Sequence, residues 1–116
     1  MKKTLVLALF CFFALALKSA YAHPPQDITI TFDAASKTLK AVIIHNVSNP
    51  LSHFIKKVDI SLNGKEIIEH QISRQDNFNT QAVSYLIPDA KTADVVSVEA
   101  YCSISGKLKK EITIKK

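Results

Sequence analysis

The chain carries four histidines and two cysteines, and these are its best-equipped side chains for chemistry. Two of the histidines flank one short polar loop, in the stretch "HNVSNPLSHFI" at residues 45–55. His45 ends an apolar run and His53 begins an alternating one, so both rings belong where strands give way to a loop. Cys102 lies near the end of a later alternating run, just before Gly106. Imidazole and thiolate together favour a borderline or soft transition metal such as iron, copper or zinc. Each residue also has a plainer reading. His45 and His53 would serve equally as exposed loop residues. Cys102 shares the phase of Val96, Val98 and Ala100, which is the phase of a small buried hydrophobe. His70, between Ile68 and Ile72, reads as a half-buried or edge-strand histidine.

Other chemistries lack their residues. Only two glycines are present, Gly64 and Gly106, too few for a phosphate-cradling loop. No Gly-x-Ser-x-Gly turn exists to expose a serine nucleophile. Asp27, Asp33, Asp59 and Glu69 fall on solvent-facing phases or turns, where acids act as solubilising charges.

The first 22 residues have the pattern of an export signal. Lys2 and Lys3 precede an apolar run from Thr4 to Leu17, and Ala20 and Ala22 stand at the small-residue positions of a cleavage site. Cleavage is expected between Ala22 and His23, which makes residues 23–116 one small domain, periplasmic or secreted. The apolar run is too short to span a bilayer comfortably, and no second run of spanning length comes after it. Cys11 would leave with the signal, and Cys102 would be the single remaining thiol. Residues 1–22 hold three lysines and no acids, so the remainder has twelve cations against ten acids, a net +2. That charge is scattered and not interleaved with aromatics, which argues against a nucleic-acid partner. Cleavage would also turn His23 into the N-terminal residue. A terminal amine and its own imidazole can then chelate copper together, the copper-brace arrangement; the plain alternative is a frayed terminus. Pro24 and Pro25 stiffen the backbone directly after it.

The elements that must position these residues are all strands. Ile28, Ile30 and Phe32 alternate with polar residues, Leu39 to Ile44 is an apolar run, and Val58, Ile60 and Leu62 share one face. Asn63-Gly64 is a strong two-residue hairpin signal. Glu66 to Ile72 returns from it, Val83, Tyr85 and Ile87 alternate, and Leu108 to Ile114 closes the chain after Gly106. Residues 73–80 are polar and read as loop. About seven short strands with no convincing helix predict an all-β, immunoglobulin-like β-sandwich.

Taken together, His45, the His53-Phe54-Ile55 triplet, the Asn63-Gly64 turn and Ala100-Tyr101-Cys102-Ser103-Ile104-Ser105-Gly106 resemble the iron domain of desulfoferrodoxin and the superoxide reductases, neelaredoxin included. The resemblance covers most of residues 23–116. It implies an immunoglobulin-like sandwich and one non-haem iron held by histidines with an axial cysteine thiolate. It also implies reduction of superoxide to peroxide, with an electron donor as partner. By position, His45 and His53 match two equatorial ligands, Cys102 the axial thiolate, and His23 the first histidine. Three departures accompany it. Ser105 stands where the family has its last histidine, and the loop from His45 to His53 is about two residues longer than usual. The Glu-Lys pair that precedes the family's first histidine, and whose lysine attracts superoxide, is missing; Lys56 or Lys57 would have to supply that attraction. Copper bound by a non-catalytic or interaction module is the alternative reading of the same residues.

Overall fold

The computed structural model describes residues 23–116; the export segment expected over residues 1–22, Cys11 included, lies outside the described residues. Seven strands succeed one another along the chain: β1 (Asp27–Asp33), β2 (Thr38–Ile44), β3 (Ile55–Leu62), β4 (Lys65–Gln71), β5 (Thr80–Leu86), β6 (Val95–Cys102) and β7 (Lys107–Thr113). There is no helix among the described residues, and so none long and apolar enough to cross a membrane. The strands form two antiparallel sheets, β1-β2-β5 and β4-β3-β6-β7, making a β-sandwich. A constant-type immunoglobulin order would set the fourth strand beside the fifth; here β4 pairs with β3 instead.

The strands form because their apolar residues recur with period two, so that one face of each sheet can be buried. Leu39, Ala41 and Ile43 point inward from β2, and Val96, Val98 and Ala100 from β6. Ile55, Val58 and Ile60 do so from β3, although Ile55 and Val58 are three residues apart. A β-bulge between Ile55 and Lys57 absorbs the odd residue and restores the phase. The Asn63-Gly64 turn has the two positive φ values, 51° and 84°, that a tight primed hairpin needs. Asn63 also ties the turn to the start of β6, accepting from Val95 N–H at 2.9 Å and donating to Asp94 at 3.0 Å.

Antiparallel pairing brings β2's end, β3's start and β6's end to one pole of the sandwich. Asp27 pairs with Ile44, and Ile55 with Cys102. The segment before β1 runs alongside the end of β2, where Gln26 N–H donates to Ile44 at 2.8 Å. The opposite pole holds the Asn63-Gly64 turn.

Ile60 is fully buried at the centre of β3, between β4 and β6. Ile60→Ala should cost about 2–5 kcal/mol, the range for truncating a buried isoleucine, measurable by urea denaturation. A loss under about 0.5 kcal/mol, typical of surface sites, would show that this layer does not carry the fold.

Candidate metal centre

Two of the three histidines at this pole arrive by the phase of the strand beside them. Leu39, Ala41 and Ile43 are buried alternate residues, and His45 is the next in that series, one residue past the end of β2. It is fully buried. His53 stands two residues before the buried Ile55, on the same phase, and is half-buried. His23 comes from the other direction, on the segment leading into β1. Gly106 fixes that segment closely. It has φ of +89°, and a Cβ added there would lie 2.8 Å from the Pro24 Cβ.

The three histidines are brought together. One ligand nitrogen from each of His23, His45 and His53 falls within 4.8 Å of the other two, so the three could bind a metal ion. The ring centroids are 5.1 Å apart for His23 and His45, 5.2 Å for His23 and His53, and 4.8 Å for His45 and His53.

The hydrogen bonds show which ring nitrogens remain available. His23 Nδ1 lies 3.0 Å from the Pro24 carbonyl oxygen, which can only accept. Nδ1 therefore carries the proton and Nε2 keeps a lone pair. His53 Nε2 is buried without a hydrogen-bond partner among the described residues. An unpaired buried polar nitrogen costs about 1–3 kcal/mol, and a metal ion would satisfy it. Burial, reinforced by the nearby rings of His45 and His23, holds His53 below its ordinary pKa of 6.5. It is thus kept in the neutral form that a metal needs.

Cys102 is not part of the three-histidine group. It is buried at the end of β6, and its sulfur accepts the Ile104 N–H at 3.5 Å. The turn after it nevertheless touches both outer histidine segments. Ser103 accepts from Phe54 N–H through Oγ at 3.1 Å and donates its own N–H to Phe54 at 2.8 Å. Gly106 packs on Pro24. Ser105 is exposed. Cys102 also lines a cavity of about 320 Å³ with Lys56, Tyr101 and Lys107. Lys57 is drawn away onto the sheet, 3.5 Å from both Asp59 and Glu69 and 4.3 Å above the Tyr101 ring. Exposed Lys56 is therefore the better placed of the two lysines to attract an anion.

Three other residues refine the sequence reading. His70, on the edge strand β4, meets the Tyr85 hydroxyl at 2.8 Å and joins the two sheets. Asp59 is more buried than its phase suggested, with a side chain 12% exposed. Gln75, within the polar segment expected to be loop, is fully buried and bonded to His45 at 2.8 Å. Nothing in a polar stretch with no period marks such a residue in advance.

No protein-family model matches this chain, and a search of curated proteins also finds no match.

The lowered His53 pKa gives a pH dependence with a definite sign. In the unfolded chain histidine titrates near 6.5, so on acidification the unfolded state takes up the proton first. The metal-free protein should keep this part of its stability above about pH 6.5 and lose it as pH falls from there toward the lowered folded value. Urea denaturation from about pH 7.5 to about 5.5 should show a smaller loss for His53→Phe than for the wild type. Equal losses would mean that His53 is not held neutral by the fold.

Proposed function

We propose that residues 23–116 form an exported mononuclear metal-binding domain whose ligands include His23, His45 and His53, and that it acts as a superoxide-reductase-like iron site. The observation that carries this reading is the convergence of three imidazoles within 4.8 Å, with His53 Nε2 buried and unpartnered. Imidazole ligands suit iron, copper and zinc alike. The choice of iron and of superoxide rests on the resemblance of the His53-Phe54-Ile55 and Ala100–Gly106 stretches to the superoxide reductases.

Ferrous iron held there would supply one electron to superoxide, which with two protons becomes hydrogen peroxide, and an electron donor would return the ferric ion to ferrous. The protein's own part is to hold and shelter the metal. His45 offers a fully buried ring and His23 a freed Nε2, while burial keeps His53 neutral. Cys102 is the proposed thiolate ligand, by resemblance, at the end of β6. Lys56, exposed beside the Cys102 cavity, would raise the local concentration of an anionic substrate.

A copper brace would need the Nδ1 of His23 together with a new terminal amine. In this fold that nitrogen is turned to the Pro24 carbonyl oxygen at 3.0 Å. This favours three imidazoles acting through ring nitrogens over the brace.

The test begins with protein purified from the exported compartment and reconstituted with ferrous iron. One iron per chain is expected, and His45→Ala or His53→Ala should lower iron affinity at least about tenfold. Stopped-flow mixing with superoxide should show rapid loss of superoxide with peroxide as product, slowed in Cys102→Ser. Absence of bound iron sinks the iron site. A rate indifferent to both Cys102→Ser and His45→Ala sinks the catalytic reading.

A second measurement concerns Gly106. Gly106→Ala should cost about 1–2 kcal/mol for the left-handed backbone alone, and should also push Pro24 away. Its metal affinity should therefore fall, although no ligand has been changed. Unaltered affinity would show that Gly106 does not hold His23 in place.

A further inference from the structure

We propose that Gln75 is a positioning residue of this centre: its side-chain amide locks His45 in the tautomer that turns the unprotonated Nε2 toward His23 and His53. The proposal deepens the metal-binding reading above and rests on it for its purpose, but not for its geometry.

The orientation of the amide is set by its donors. Gln75 Nε2 donates to two backbone carbonyl oxygens, that of His45 at 2.7 Å and that of Asn77 at 2.9 Å. Both of its hydrogens are thereby used, and a flipped amide would set an oxygen against two acceptors. Oε1 is therefore the atom facing His45 Nδ1, at 2.8 Å. An amide oxygen can only accept, so Nδ1 carries the proton and Nε2 the lone pair. A neutral ring has one proton for two facing acceptors, and the nearer acceptor, at Nδ1, takes it. The neighbour of Nε2 is the more distant one. It is the His23 carbonyl oxygen at 3.4 Å, also an acceptor. Two acceptors facing each other gain nothing until a cation lies between them.

Gln75 grips both the ring and the backbone of one residue, so it fixes the ring's orientation as well as its tautomer. It is fully buried, which makes its bonds costly to break. Its own N–H donates to Pro50 at 3.1 Å, in the loop that leads to His53. Through its side chain and its backbone N–H together, this one residue links β2's end to the loops on either side of β3-β4. Metal-bound histidines commonly donate their second nitrogen in this way, usually to a carboxylate or backbone carbonyl. Here a neutral amide takes that role and places no negative charge beside the site.

The test uses the whole exported protein, with cobalt(II) as the metal probe. Imidazole nitrogen shifts from NMR of the metal-free wild type should show His45 as the Nδ1–H tautomer. Gln75→Leu should mix the two tautomers and weaken cobalt(II) binding about 10–100-fold. Gln75→Glu keeps an acceptor at that position, and should retain the Nδ1–H tautomer even if its lost donor bonds lower stability. Gln81→Leu is the control. Gln81 braces the same loop through Asp76 and Ala82 and makes no hydrogen bond to a histidine among the described residues. It should leave both the tautomer and the affinity within about twofold of wild type. Three results overturn the proposal: a wild-type His45 carrying its proton on Nε2, a Gln75→Leu protein with unchanged tautomer, or a Gln81→Leu protein that loses affinity as much as Gln75→Leu. If Gln75→Leu does not fold, the wild-type and Gln75→Glu tautomers decide the question. A wild type that binds no cobalt(II) while His45 still reads as Nδ1–H refutes the metal site and leaves the tautomer lock standing.

Discussion

Three imidazoles crowded into a few ångströms at the mouth of an apolar core are the constraint around which this pole of the sandwich is arranged. Two of them charged at once, 4.8 Å apart, would repel by about 3.5 kcal/mol at an effective dielectric of 20. That is a large fraction of the stability a small domain has to spare. Two cations so close are therefore disfavoured, and a neutral imidazole always carries one ring-nitrogen lone pair. Where the accepting carbonyl or amide oxygen takes Nδ1–H, as at His23 and His45, that lone pair is left at Nε2. Crowding thus turns three weak bases into a set of donors that gain from sharing a cation.

The sandwich tolerates this because each ring is held by something that would exist without it. His45 is the next term of the inward series Leu39, Ala41, Ile43, so strand periodicity buries it. His53 precedes Ile55 on a phase set by the bulge at the start of β3. His23 depends on the most distant element, the turn after β6, where only glycine at position 106 leaves room for Pro24. That turn also bonds to Phe54. A single loop near the C-terminus therefore braces the segments carrying two of the three histidines.

Much of this was legible in the sequence. Period-two patterning gave the strand class, and Asn63-Gly64 gave a hairpin whose two positive φ values require those residue types. The burial of His45 was also present in the alternation, had the series from Leu39 been carried one step past the strand's end. Gln75 and the Gly106–Pro24 contact were not legible. Neither belongs to a periodic segment, and each becomes meaningful only when chain segments remote in sequence meet. Asp59 shows the opposite limit: its phase is outward, but Lys57 and Tyr101 cover that face of the sheet and bury most of its side chain.

The same geometry bears on Ser105. A histidine there would add a ligand from the turn after β6. With an exposed serine in its place, the turn's remaining contribution is structural, through Ser103 on Phe54 and Gly106 on Pro24. His23 is then the candidate ligand carried on the segment before β1. Its segment is held by proline stiffness, by the Gln26–Ile44 bond and by the glycine contact. An ion bound by all three histidines would fasten that segment to β2 and β3 from inside. Binding to the folded state alone adds about 2.7 kcal/mol when free metal is a hundredfold above its dissociation constant. For a domain with one thiol and no disulfide among the described residues, that gain is comparable to what a disulfide ordinarily contributes. The metal would then be part of what closes this end of the sandwich, and the site and the fold would share the same residues.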